Sequence, residues 1–306
     1  MLHVSAAADD GGAPAVMSRA ERLDAAMEEI DWSVLPPGAE RDDVDAPSGK
    51  IARISMGPAD GERVVLVPGV TGSKEDFVRM LPLLSAAGYR AEAYDMAGQY
   101  ESHAAGPENL HPPQKHYTLD LFVNDLFAVL ATGSTPAHVL GYSFAGTVTA
   151  AAAVARPELF SSLTLLSAPP IAGQALRAFK ILGPFSGPIP ARIESRLMMW
   201  GVRNNLHRSP RDRAVFVRAR FALTRPSSVD DIFWLMKHTP DLADALRATG
   251  LPILLATGSG DIWPVTLHRD FAERMGATLV VIETGHSPCE SAPHQLTEAM
   301  LTHFGR

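Results

Sequence analysis

The chain has 306 residues, 46% of them hydrophobic, and a formal net charge of -7. That length suits one α/β domain carrying an insertion, and the acidic balance argues against a nucleic-acid partner, because neutralising phosphates needs a basic surface. The single cysteine, Cys289, excludes an internal disulfide framework and a multi-cysteine metal site, and it reads as a structural thiol in a reducing interior.

Residues 1–48 mix Ala, Asp, Gly and Pro around one amphipathic stretch, Arg19 to Ile30, and read as a partly ordered N-terminal arm. The first residues lack the basic start and continuous apolar core of a secretory signal, and no later run reaches the ~18 apolar residues of a membrane span. The expectation is a soluble, cytoplasmic protein.

From Ile51 the pattern changes. IARISM is followed by RVVLVPG (63–69), an apolar run of the kind buried on both faces of a parallel sheet. A helix is predicted over 73–87, with Ser73 and Asp76 as a capping box and Gly88 as its stop. The strand YRAEAYDM (89–96) leads into a Gly/Pro/His-rich loop over 98–118, and a helix from Thr118 to Ala131 follows. Next come the strand AHVLGYS (137–143), a small-residue helix over 144–155 and the strand SLTLLSAP (162–169).

For about eighty residues after Pro170 the strand signal is replaced by helical patterns, which read as a helical cap over 171–250. The alternation resumes with LPILLATG (251–258), a helix over 265–275, the strand ATLVVIE (277–283) and a last helix over 293–303. This order predicts an α/β fold. Its central sheet is mostly parallel with helices on both faces, its core spans 49–170 and 251–306, and the helical cap is inserted after the sixth strand.

Attack on an ester carbonyl needs an oxygen nucleophile, a base, a group that orients the base, and donors for the developing oxyanion. Ser143 lies in Gly141-Tyr142-Ser143-Phe144-Ala145-Gly146, where a predicted strand meets a predicted helix. A sharp turn there would lift Oγ above the sheet. The usual last glycine of G-x-S-x-G is Ala145 in this chain, with Gly146 one residue later.

His286 follows the last strand, at the sheet edge where catalytic groups of open α/β sheets gather. It is preferred among eleven histidines. His103, His111 and His116 compete from the 98–118 loop. Asp261 follows the strand 251–258; it reads as the acid that orients the histidine and equally as a cap for the next helix. Asp95, after the strand 89–96, is the alternative acid. Backbone amides of Val70 in PGVTGS and of Phe144 are the candidate oxyanion donors, although PGVTGS also reads as an ordinary βα loop. Trp263, Tyr142 and Trp234 are candidate substrate contacts. This machinery requires no metal and no cofactor.

The order Ser143, Asp261, His286 on successive loops, with PGVTGS first and a helical insertion after 162–169, resembles the capped α/β-hydrolase superfamily over residues 51–304. Two departures are Pro68-Gly69 where members often carry His-Gly, and Ala145. The resemblance implies a serine esterase or lipase-like enzyme working through an acyl-enzyme on a small acyl or ester substrate. Epoxide hydrolases and dehalogenases of the superfamily use an aspartate nucleophile, which the serine at 143 disfavours. Hydrolysis of C–C bonds in diketones, acyl transfer, thioester hydrolysis and ligand binding without catalysis remain alternatives.

Between Ile171 and Pro226, eleven Lys or Arg stand against two acids, Glu194 and Asp212. Some of these arginines would attract an anionic substrate; the plainer reading pairs them with the acidic body. Phe216, Phe221, Phe233, Met236, Met198, Met199 and Trp200 would line an acyl pocket or serve as packing.

Overall fold

The computed structural model describes residues 17–175 and 211–305. Residues 1–16, the pattern ARIESRLMMWGV with Met198, Met199 and Trp200, and the cationic positions Arg177, Lys180, Arg192, Arg196, Arg203 and Arg208 lie outside the described residues.

Eight strands form one sheet: β1 (Glu40–Ala46), β2 (Gly49–Met56), β3 (Glu62–Val67), β4 (Tyr89–Tyr94), β5 (Ala137–Tyr142), β6 (Phe160–Leu166), β7 (Ile253–Gly258) and β8 (Thr278–Ile282). Their order is β1-β2-β4-β3-β5-β6-β7-β8. β1 and β2 pair antiparallel, β2 meets β4 antiparallel, and every other pairing is parallel. The fold is therefore α/β with a mostly parallel sheet, as the alternation of elements predicts.

Helices cover both faces. α1 (Arg19–Ala25), α2 (Met80–Ala86), α3 (Leu119–Ala131) and α4 (Phe144–Ala155) precede the insertion after β6. α5 (Arg211–Leu223), α6 (Pro226–Met236) and α7 (Ala243–Thr249) lie in the insertion. α8 (Val265–Met275), α9 (Pro288–Ser291) and α10 (Pro293–His303) complete the chain. β3 shows how the sheet divides the core: Val64 and Leu66 pack with α2 and α10, whereas Val65 and Val67 pack with α3, α4 and α8. Alternation along a strand sends neighbouring side chains to opposite faces, so a run buried on both sides is apolar throughout. The insertion helices join these clusters: Phe216 and Phe221 of α5 are buried on the α2 face, and Phe233 and Met236 of α6 on the other.

Two sequence expectations differ from the structure. The helix predicted over 73–87 is a 3-10 turn, Lys74–Phe77, followed by α2. The Ser73–Asp76 capping box is present, but Pro82 has no N–H and its ring would collide with the carbonyl four residues earlier, so a helix restarts with Pro82 in its first turn. Residues 40–46, read as the end of an arm, form β1; only Val44 of ERDDVDA turns into the core. Upstream, α1 opens on a capping box between Ser18 and Glu21. Asp24 then accepts bonds from the backbone N–H groups of His294 and Gln295 at 2.9 and 3.1 Å, capping the start of α10. None of the described helices is long and apolar enough to cross a membrane.

Candidate active site

β5 lies inside the sheet between β3 and β6, and it ends at Tyr142, immediately before Ser143. Ser143 has φ 53° and ψ −125°, a conformation that costs a non-glycine residue on the order of 1–3 kcal/mol. Its surroundings hold it there. The Ser143 N–H donates to Leu166 O at 2.8 Å, and the Gly146 N–H donates to Ser143 O at 2.8 Å. A Cβ on Gly146 would sit 2.4 Å from Ala168 Cβ. The small residue the turn needs is therefore Gly146, where α4 crosses the chain after β6, and Ala145 is accommodated with its side chain fully buried.

The loop after β3 approaches from the other side. A Cβ on Gly69 would fall 2.9 Å from Ser143 Cβ, so only glycine lets this backbone pass so close. Val70 follows it directly, and Phe144 opens α4. The first amides of a helix lack intrahelical acceptors and carry its positive dipole end.

The turns after β7 and β8 are joined by backbone bonds, Ser259 N–H to Ile282 O at 2.8 Å and Gly260 N–H to Thr284 O at 2.9 Å. That seam brings Asp261 and His286 together. His286 Nδ1 lies 2.9 Å from Asp261 Oδ1, and His286 Nε2 lies 3.1 Å from Ser143 Oγ. An ionised carboxylate only accepts, so the neutral imidazole carries its proton on Nδ1 and Nε2 is free to accept from the serine hydroxyl.

Asp261 is fully buried. Burial opposes its charge, but His268 and His286 favour it, and Thr257 Oγ donates to Oδ2 at 2.6 Å; together they hold the carboxyl well below the ordinary range. His268 Nε2, on α8, lies 3.5 Å from Asp261 Oδ2. Neither Thr257 nor His268 was singled out from the sequence. The signals are positional: Thr257 stands at the end of β7 and His268 seven residues after the acid.

The alternative groups are engaged elsewhere. Asp95 accepts from the Lys74 N–H at 2.8 Å and pairs with Lys74 Nζ at 3.1 Å. His103 Nδ1 lies 3.0 Å from Tyr100 O, and His116 Nδ1 lies 3.0 Å from Asp231; His111 is exposed on the same loop. Cys289 is buried, which pushes its thiol pKa up.

The three aromatic candidates part company. The Tyr142 ring is 5.4 Å from the His286 ring, centroid to centroid. Trp263, also beside His286 at 5.7 Å, is wholly buried and donates Nε1–H to Ala175 O at 3.0 Å. Trp234 is 53% exposed and stacked on His238, so α6 turns it to the surface rather than into the core. Among the described arginines of the insertion, Arg213 and Arg220 pair with Asp76, and Arg225 with Glu108.

The sequence profile of the Alpha/beta hydrolase family matches residues 64–299. A relative named "Putative carbamate hydrolase RutD", from Variovorax paradoxus, is 34% identical over 113 residues, 37% of this chain and 40% of that protein. The chain thus spans less than half of that relative. The "Magnesium-chelatase 30 kDa subunit" of Rhodobacter capsulatus is 26% identical over 264 residues, 81% of this chain and 88% of that protein. A structure from a study of carboxylesterases of Nitrososphaera gargenis superposes with a TM-score of 0.66 at 16% identity, over 86% of this chain and 98% of the other. The profile spans most of the chain, and the chain belongs to the Alpha/beta hydrolase family.

Proposed function

We propose that the protein is a serine hydrolase that cleaves a carboxylic ester, or a related acyl bond, of a small substrate. The observation that carries this reading is the unbroken line Ser143 Oγ, His286 Nε2, His286 Nδ1, Asp261 Oδ1, with contacts of 3.1 and 2.9 Å. In it, His286 takes the proton of Ser143 as Oγ attacks the carbonyl carbon, and Asp261 stabilises the imidazolium. The amides of Val70 and Phe144 receive the oxyanion, aided by the dipole of α4. Collapse of the tetrahedral adduct expels the leaving group with the proton from His286. Water then repeats the sequence on the acyl-enzyme and returns Ser143 to its free state.

The 34% identity to a protein named for carbamate hydrolysis keeps carbamates beside esters as candidate substrates. A fluorophosphonate probe tests the core of the proposal. It should label the intact chain stoichiometrically and leave Ser143→Ala unlabelled. Equal labelling of the two, or none of either, sinks it. A panel of aryl esters, thioesters and carbamates then ranks the acyl classes by kcat/KM.

A further inference from the structure

Helix α5 sends two arginines into the body of the protein. Arg213 Nη2 lies 3.3 Å from Asp76 Oδ1 and forms a second ion pair with Glu290. Arg220 Nη1 lies 2.5 Å from the same Asp76 oxygen and 3.4 Å from Ser73 Oγ. Arg213, Arg220 and Asp76 are all buried, and the ring of Trp32 covers the Arg213 guanidinium at 4.2 Å.

The two acids stand on different loops. Asp76 lies six residues beyond Val70, and its carboxylate also accepts from the Ser73 N–H at 3.2 Å. Glu290 lies four residues beyond His286, in α9. One guanidinium therefore spans the loop that offers an oxyanion amide and the loop that carries the candidate base. A buried ion pair resists separation because removing one partner leaves the other charge uncompensated. The bridge adds a charged tie between two segments that also share the apolar cluster of Phe77, Val78, Cys289 and Ala292.

We propose that Arg213 is a positioning residue: by tying Asp76 to Glu290 it holds the oxyanion loop and the histidine loop at the spacing catalysis needs, so that docking of α5 sets the geometry of the site. This rests on the reading of Ser143, His286 and Val70 given above. It also sets Arg213 apart from substrate binding, since the side chain is buried and its Nη2 is shared by two carboxylates.

The test uses the full chain with p-nitrophenyl acetate, and Arg213→Gln, Arg213→Lys, Glu290→Gln and a control, Arg225→Gln, which loosens the Glu108 pair. Because displacing reacting groups by ~1 Å costs on the order of 100-fold, Arg213→Gln should lower kcat about 10- to 100-fold while KM stays within about twofold. Arg213→Lys should recover part of the loss, and Arg225→Gln should match the parent.

Amide hydrogen exchange provides a readout that needs no turnover. Arg213→Gln should speed exchange in both 69–78 and 284–292, on either side of the bridge. Should Arg213→Gln fail to fold, Glu290→Gln, which keeps shape and removes one charge, should show the same two changes at smaller amplitude. Exchange that rises only within α5, or a kcat within about twofold of the parent in folded variants, overturns the proposal. If the parent chain neither turns over the ester nor takes a fluorophosphonate on Ser143, the hydrolase reading fails by itself, and the exchange pattern still decides whether the bridge couples the loops.

Discussion

The hydroxyl of Tyr142, the residue before Ser143, lies 2.6 Å from the hydroxyl of Ser287, the residue after His286. The two chain neighbours of the candidate nucleophile and base are thus bonded to each other, 145 positions apart in sequence. Tyr142 is buried, and burial raises its phenol pKa well above the ordinary value, so the group stays neutral and able to donate. A hydroxyl so placed would hold the histidine loop, which makes loop positioning the alternative to the substrate contact expected from sequence. Tyr142→Phe should cost ~0.5–1.5 kcal/mol of stability and, if ~1 kcal/mol falls on the transition state, lower kcat about fivefold. Steady-state kinetics on an aryl ester check this. A raised KM with unchanged kcat would return Tyr142 to the substrate-contact role expected from sequence.

The turn at Ser143 makes opposite demands on two adjacent residues. A methyl group on Gly146 would meet Ala168 Cβ at 2.4 Å, against a residue that follows the strained Ser167, at φ 44°. Gly146→Ala should therefore destabilise the fold by ~1–3 kcal/mol through overpacking, and should depress kcat because the Gly146 N–H is bonded to Ser143 O. Ala145→Gly should cost only ~0.5–1 kcal/mol, the entropy of a helical glycine, and leave kcat near the parent value. Thermal melts and kinetics of the pair decide whether the Ala145 departure from the usual elbow pattern is compensated by Gly146.

The alternation of elements, the strand–Ser143–helix junction and the placing of Asp261 and His286 just after strands were all legible because each rests on a local pattern. Period-2 and period-3.6 patterns announce themselves over a few residues. What escaped was long-range or masked by charge. β1 has one inward apolar residue, Val44, among Glu, Arg and Asp, so no alternating signal survives. α6 is amphipathic, yet its pattern does not say that Phe233 goes in while Trp234 stays out. His268 beside Asp261, Ser287 beside Tyr142 and Arg213 between Asp76 and Glu290 are pairings made by the folded chain. His268 at least stands seven residues after the acid, whereas sequence spacing carries no trace of the other two. The arginine-rich insertion shows the same limit: the charge excess was readable, but whether Arg213 and Arg220 face a ligand or the body was not.

Asp125 of α3 is buried and accepts from Ser48 Oγ at 2.6 Å and from the Ser48 N–H at 3.2 Å. Burial pushes its carboxyl from the ordinary 3.8 up to about 6, against the pull of those bonds. An acid whose folded pKa is raised holds an extra proton in the native state between the two values, so stability falls as pH rises from about 4 to about 6 and is then level. A shift of this size corresponds to ~3 kcal/mol. Asp125→Asn cannot ionise and can still accept from and donate to Ser48. Its stability relative to the parent should therefore climb by up to ~3 kcal/mol between pH 4 and pH 7. Urea melts at both ends of that range test it, and a difference that is flat with pH rejects the assignment.

Asp261 has the opposite sign. Its carboxyl is held below the ordinary 3.8 by His268, His286 and Thr257 in spite of burial. A depressed acid contributes stability that is complete above the unfolded pKa, near 4, and is lost as pH falls toward the folded value. Asp261→Asn should therefore be less stable than the parent by a constant amount from pH 8 down to pH 5, and the gap should close only under more acid conditions. Its effect on catalysis should be far larger, ~10³–10⁴-fold in kcat, because an amide no longer fixes the Nδ1–H tautomer of His286. His268→Leu separates the two roles of the carboxylate. It leaves the 2.9 Å contact to His286 in place and removes the imidazole that stands 3.5 Å from Oδ2. If His268 acts only on the charge of Asp261, kcat should fall less than about tenfold, and the acid-side loss of stability should move to higher pH, toward the unfolded value. A kcat loss as deep as that of Asp261→Asn would instead place His268 in the alignment of the proton path itself.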